Sequence, residues 1–177
     1  MSLHGSLCRT LDAMQLIIFI GLQASGKSTF YQTALAPSGN YVYVSKDRLR
    51  NNAHPGQRQA QLIEEALGAG RSVVVDNTNP TKADRAELIA LGRRFGAEVI
   101  GYCFESSVGG SLERNRQRTG RARVPDKAVY ITAHRLTWPS YDEGFDVIYR
   151  VQIAGEMSFK VERSDKNVEE AEQDERP

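Results

Sequence analysis

Residues 16–29, LIIFIGLQASGKST, constrain this chain more than any other stretch. An apolar run from Leu16 to Ile20 breaks into Gly21-Leu22-Gln23-Ala24-Ser25-Gly26-Lys27-Ser28-Thr29, and helix-compatible sequence follows. The spacing between Gly21 and Gly26 lets the backbone curl so that successive N–H groups point inward at phosphate oxygens. Gly26 permits a turn that a side chain would obstruct, and the next helix opens with its positive dipole end toward the anion. Lys27 supplies a mobile cation for β- and γ-phosphates, and the Ser28 hydroxyl is a ligand for Mg²⁺. The stretch therefore reads as a phosphate-cradling loop between a buried strand and a helix. ATP with Mg²⁺ is the expected ligand, held by Gly21, Gln23, Ala24, Ser25, Gly26, Lys27, Ser28 and Thr29.

Downstream, strand and helix patterns alternate. Lys27–Ala36 reads as a helix closed by Pro37-Ser38-Gly39-Asn40, and Tyr41–Val44 as a short strand. Pro55–Gly70 carries an apolar stripe at helical spacing, and Ser72–Val75 is the continuous apolar run of a strand buried on both faces. A helix is expected after Pro80, with Asn79 as its cap, then a strand over Glu98–Phe104. Leu112–Arg118 and Pro125–Leu136 read as helices, and Phe145–Ile153 as a last strand. The pattern predicts a doubly wound, mostly parallel α/β sheet of about five strands with helices on both faces. Residues 14–155 form the expected domain. Residues 1–13 read as a tag or disordered lead, and 156–177, dense in charge, as a disordered tail.

In such sheets ligands bind beyond the carboxyl ends of the strands. Three polar clusters fall there: the phosphate loop, Ser45–Arg50, and Asp76-Asn77-Thr78-Asn79. Asp47 could accept the proton of an attacking hydroxyl, or cap the helical turn that follows. Asp76 stands where a carboxylate holds Mg²⁺ directly or through water, or serves as a turn residue. Arg114 to Arg123 holds five arginines and no acid. With Gly120 as a hinge, it reads as a lid that closes over a transferring phosphoryl group, against the plainer reading of a solvated basic face. Arg114 and Arg118, four apart, are expected on one helix face.

The 177 residues carry a formal net charge of +1, so any nucleic-acid contact must be local rather than a global field. The two cysteines, Cys8 and Cys103, lack metal-ligand spacing and suggest a reducing compartment. No apolar run reaches membrane-spanning length and the first residues lack a signal-peptide core, so no membrane partner and a cytoplasmic location are expected.

Taken together, residues 15–152 resemble the 5′-hydroxyl polynucleotide kinases of phage and animal DNA repair. Tyr41-Val42-Tyr43-Val44-Ser45-Lys46-Asp47 is similar to a family strand that ends in a basic residue and a catalytic aspartate. Val73–Pro80 resembles the animal enzymes, as do Arg123-Val124-Pro125-Asp126 and Tyr141–Phe145. Arg114-Asn115 and Arg118 match the phage lid pattern.

The resemblance implies that Asp47 is the general base and Lys27 a catalytic loop cation, and that Arg118 stabilises the transferring phosphoryl group. It implies ATP contacts from Arg114 and Arg118. It also implies that Arg50 holds the phosphate on the 3′ side of the acceptor nucleotide, with Asp76 and Asn77 beside the acceptor and Ser28 and Asp76 at the metal. Lys46 departs from the arginine common before the catalytic aspartate, and no phosphatase domain is recognised, so a bifunctional role is not expected.

The function expected is transfer of the γ-phosphate of ATP to the 5′-hydroxyl end of DNA or RNA. A kinase acting on a nucleoside, sugar or antibiotic is the alternative within the same architecture. A non-catalytic ATP-binding regulatory module is the alternative from another class, and intact Lys27, Ser28, Asp47 and Asp76 speak against it.

Overall fold

The computed structural model describes residues 13–155 and 158–165. Cys8, the lead before Ala13 and the tail beyond Asp165 lie outside the described residues. The apolar run at the start of the chain becomes β1 (Gln15–Ile20), which lies at the centre of the sheet between β3 (Ser72–Val75) and β4 (Glu98–Glu105). β2 (Tyr41–Val44) pairs with β3, and β5 (Val147–Gly155) with β4, all in parallel. With β6 (Ser158–Arg163) at the far edge, the full order is β2-β3-β1-β4-β5-β6.

Because side chains alternate along a strand, β1 feeds two cores. Leu16, Ile18 and Ile20 pack with Val73, Val75 and the apolar stripes of α2 (Pro55–Gly68) and α3 (Lys82–Arg94). Ile17 and Phe19 face the other way, into a shell with Val74, Phe104 and Phe30 of α1 (Lys27–Phe30). That shell is aromatic. The Phe19 ring meets Phe104 edge-on at 5.1 Å, and Phe30 meets Phe159 at 5.3 Å. Burial on both faces is why the central strands read as unbroken apolar runs.

The structure departs from the sequence reading in four places. Ser158–Arg163, read as tail, forms β6, an antiparallel sixth strand on β5. Alternation of apolar Phe159 and Val161 with Lys160 and Glu162 explains the pairing better than the charge density suggested. The helix after the phosphate loop widens into a π turn over Tyr31–Leu35 and tightens into a 3-10 turn over Ala36–Ser38, where Pro37 cannot continue an α-helix. The cap of α3 is Thr81 rather than Asn79: Thr81 Oγ1 accepts from Asp84 N–H, and Asp84 Oδ2 accepts from Thr81 N–H, both at 3.1 Å. Finally, α4 (Val108–Arg116) starts at a Ser107 cap and ends before Arg118, and α5 (Asp126–Arg135) follows the intervening loop.

Candidate functional site

The three polar clusters converge at the carboxyl ends of β1, β2 and β3, where they line one cleft of about 270 Å³. Ala24 (φ 56°) and Gly26 (φ 94°) both take left-handed backbone, which curls the loop. A Cβ on Gly26 would sit 3.0 Å from the Phe159 ring, so β6 presses on the loop and leaves room only for glycine. The Gly21 N–H is committed to the Thr78 carbonyl at 3.0 Å, fixing the loop to the end of β3.

Lys27 lies folded into this curl. Its ammonium donates to the Gly21 carbonyl (3.1 Å), the Leu22 carbonyl and Ser25 Oγ (3.2 Å). Burial above all, with a smaller contribution from Arg118, brings its pKa down to about 8 against the opposing pull of Asp76 and Asp47. Asp76, also buried, accepts on one oxygen, Oδ2, from both Ser28 Oγ (2.6 Å) and the Tyr43 hydroxyl. Burial and that hydrogen bond push the Tyr43 phenol well above its usual range. Ser28 and Asp76 thus bring two hard oxygen ligands together at the mouth of the phosphate loop. Mg²⁺ typically takes one or two protein oxygens and completes its shell with phosphates and water, so this pair fits it. Among the described residues no group of three or more acidic, histidine or cysteine side chains is placed to hold a metal ion.

The second rim is built differently. Ser45, not Asp47, caps the 3-10 turn over Lys46–Leu49, accepting from the Asp47 N–H at 3.3 Å. That leaves the Asp47 carboxylate at the cleft edge, 77% exposed, with Oδ1 held by Arg50 Nη2 at 2.6 Å and Nε at 3.2 Å. Arg50 Nη1 also donates to the Arg121 carbonyl at 3.1 Å, joining this rim to the arginine-rich loop. Asn77 ties the rim down: its Oδ1 accepts from Lys46 N–H at 2.9 Å, and its Nδ2 donates to Gln59 of α2 at 2.7 Å.

The arginine-rich loop forms the third side. Buried Asn115 clips its base, donating to the Val124 carbonyl (2.7 Å) and accepting from the Val124 N–H (3.1 Å). Arg118, past the end of α4, lines the cleft. Arg114 does not share its face. Arg114 Nε donates to the Ala24 carbonyl at 2.6 Å and its Nη2 to Ser106, and the side chain lines a separate cavity with Phe104, Leu136, Trp138 and Ile153. The turn at the end of α4 separates two arginines that helical spacing had joined.

Of the residues singled out in the sequence, Gln23, Ala24, Ser25, Lys27, Ser28, Asp47, Arg50, Asp76, Asn77 and Arg118 line the cleft together. Gly21, Gly26, Thr29 and Arg114 do not, and the first two shape the loop instead. Sequence reasoning missed Tyr43, whose place at the end of a strand leading into the cleft was the available signal. It also missed Arg85. This fully buried guanidinium pairs with Glu143 through two 2.7 Å contacts and donates to the carbonyls of Asn79, Pro80 and Thr137. Asn79 in turn donates to the Phe19 carbonyl at 2.8 Å, so Arg85 anchors the segment that carries the Asp76 cluster.

With this geometry in view, the chain matches a family model described as an AAA domain over residues 16–137. The chain belongs to the AAA domain family. Among curated relatives of this AAA domain is a protein of Acanthamoeba polyphaga mimivirus provisionally described as a bifunctional polynucleotide phosphatase/kinase. It is 29% identical over 151 residues, covering 82% of this chain and 35% of the relative. The bifunctional polynucleotide phosphatase/kinase of Schizosaccharomyces pombe is 27% identical over 145 residues, 79% of this chain and 34% of that protein. The AAA domain described here thus spans about a third of the length of these relatives. Among solved structures, a fungal RNA kinase superposes with a TM-score of 0.64 at 16% identity, covering 80% of this chain and 39% of that one, a likeness of fold.

Proposed function

We propose that this AAA domain transfers the γ-phosphate of ATP to the 5′-hydroxyl end of DNA or RNA. The observation that carries the proposal is the facing of Lys27, Ser28 and Asp76 by Asp47, Arg50 and Arg118 across one cleft. The names of the two curated relatives support the same acceptor class.

In this reading the loop and Lys27 hold the β- and γ-phosphates, and the cavity beside Arg114 and Trp138 takes the nucleoside. Ser28 and Asp76 would hold Mg²⁺, which would supply neutralisation of the charge that develops on the leaving phosphates. Asp47 takes the proton of the acceptor hydroxyl as its oxygen bonds to the γ-phosphorus. The bond from phosphorus to the bridging oxygen breaks, and its electron pair leaves with ADP. Arg118 stabilises charge on the equatorial oxygens. Tyr43 and Asn77 are positioning residues, the first for Asp76 and the second for the Asp47 rim.

A small-alcohol acceptor draws support from the net charge of +1. Against it stand Arg48, Arg50 and Arg121 gathered beside Asp47. Among the described residues no helix is long and apolar enough to cross a membrane, and a buried, unpaired Cys103 supports a reducing, cytoplasmic setting.

The test is transfer of labelled γ-phosphate, with Mg²⁺, to a short oligonucleotide bearing a 5′-hydroxyl, against the same oligonucleotide bearing a 5′-phosphate. Label is expected on the first alone. Label on neither, from protein shown to bind ATP, would overturn the acceptor class.

A further inference from the structure

Among the described residues, one buried side-chain polar atom lacks a hydrogen-bond partner: Oε1 of Gln23, in the phosphate loop. The other end of that amide is fixed. Gln23 Nε2 donates to Thr132 Oγ1 of α5 at 2.9 Å, and Thr132 Oγ1 donates its single proton to the Ala128 carbonyl at 2.9 Å. A hydroxyl whose proton is committed can only accept, so the amide nitrogen faces Thr132 and the oxygen faces away. A buried acceptor left without a donor carries its full desolvation penalty, and its place in the fold calls for a ligand.

Gln23 lines the same cleft as Asp47, Arg118, Ala122 and Val124, and does not line the cavity beside Arg114 and Trp138 that takes the nucleoside in the reading above. What ATP sends into the cleft is its phosphates, whose oxygens accept hydrogen bonds and repel an amide oxygen. The missing donor therefore has to come from the acceptor molecule. Its reacting hydroxyl gives its proton to Asp47, so a second donor is required.

We propose that the Gln23 side chain reads a second hydrogen-bond donor on the acceptor, and so sets which terminal nucleotide is phosphorylated. In a 5′-terminal nucleotide whose 3′ oxygen is esterified, two sources of that donor remain: the ribose 2′-hydroxyl and the N–H groups of the base. Thr132 aims the amide from behind, while neighbouring Leu22 and Val129 pack in one apolar cluster that holds loop and helix together. An acceptor that brings the donor pairs the orphaned oxygen; one that lacks it shuts the oxygen away unpaired. Gln23 is a specificity-determining residue, and Thr132 a positioning residue. This inference rests on the nucleic-acid acceptor proposed above.

The experiment compares wild type, Gln23→Met and Thr132→Val on 5′-hydroxyl oligonucleotides that differ only in the terminal nucleotide. One arm sets ribose against deoxyribose. The other removes base N–H donors: purine for adenine, hypoxanthine for guanine, N3-methylthymine for thymine. Wild type should lose about 10-fold in kcat/KM when the donor is removed in one of these arms. Gln23→Met, close in size and without an oxygen acceptor, should bring that ratio below about twofold. Thr132→Val changes no residue lining the cleft, and should cut the ratio about threefold by letting the amide turn. A merely structural role would lower every substrate alike and keep the ratio, which would overturn the inference. Equal wild-type efficiency throughout both arms would overturn it too.

Binding of the same oligonucleotides beside a non-hydrolysable ATP analogue separates this inference from the kinase reading. Discrimination in binding that is lost in Gln23→Met, with no transfer to any oligonucleotide, would overturn the transfer reading and keep the role of Gln23. Transfer to every oligonucleotide at one efficiency would do the reverse. Neither transfer nor discriminating binding would overturn both.

Discussion

The two rims of the cleft hold their carboxylates in opposite ways. Asp76 is buried, receives two hydroxyl donors on one oxygen, and sits at the end of a strand buried on both faces. Asp47 is mostly exposed, on a 3-10 turn, with an arginine as its partner. The phosphate half is therefore over-determined: Arg85, Asn79 and Thr78 tie it to the core from behind. The acceptor half rests on Asn77 and on exposed arginines that can exchange partners. Under the proposed phosphotransfer, the donor would meet the rigid half and the acceptor the exposed half, where discrimination between acceptors has to be made.

The widest separation between the two halves should come from Asp47→Asn. Removing a general base costs about 10²–10⁴-fold in rate, and the exposed position makes no demand on stability. Transfer to a 5′-hydroxyl oligonucleotide should fall toward the upper end of that range, with ATP affinity and thermal unfolding unchanged. Near-normal turnover would move the base to the buried half and erase the division.

The buried half is tested by Glu143→Gln. Glu143 gives Arg85 its only carboxylate partner among the described residues, and the side chains are 3% and 0% exposed. Breaking a buried pair leaves an uncompensated charge and costs about 3–5 kcal/mol. Chemical denaturation should show that loss, with retained folded protein at low temperature keeping its KM for the acceptor. A loss under about 1 kcal/mol, the value of an exposed pair, would mean that the anchor is not buried in solution.

The same contrast governs what could be read from the chain. The phosphate loop, the parallel sheet implied by alternation and the three strand-end clusters were legible because each is local: a short spacing or a run of apolar residues fixes it. Arg85 was not. A charged residue on a helix pattern reads as solvent-facing, and its partner Glu143 is 58 residues away. Arg114 and Arg118 were assigned to one face because helical spacing cannot reveal where a helix stops, and the stop depends on Asn115 clipping Val124. β6 was lost to the charge of its surroundings, although Phe159 touches both Phe30 and the Gly26 turn. What escaped the sequence is tertiary in origin and sits mainly behind the site, holding it in place.

Lys27 offers the most sensitive probe of how closed the phosphate half is. Its pKa is held near 8 against an ordinary 10.5, chiefly by burial. Between those values the unfolded chain keeps the proton that the folded chain has shed, so stability rises with pH. The cost of the buried charge is fully present below pH 8 and is relieved as pH approaches 10.5. Lys27→Met removes that titration and leaves those of Tyr43 and Cys103, so the difference between wild type and variant isolates it. Denaturation at pH 7 and pH 9.5 should show wild type gaining on the variant by on the order of 2 kcal/mol. A difference that stays constant would mean that the ammonium reaches water, and that the loop, like the Asp47 rim, is open before its ligand arrives.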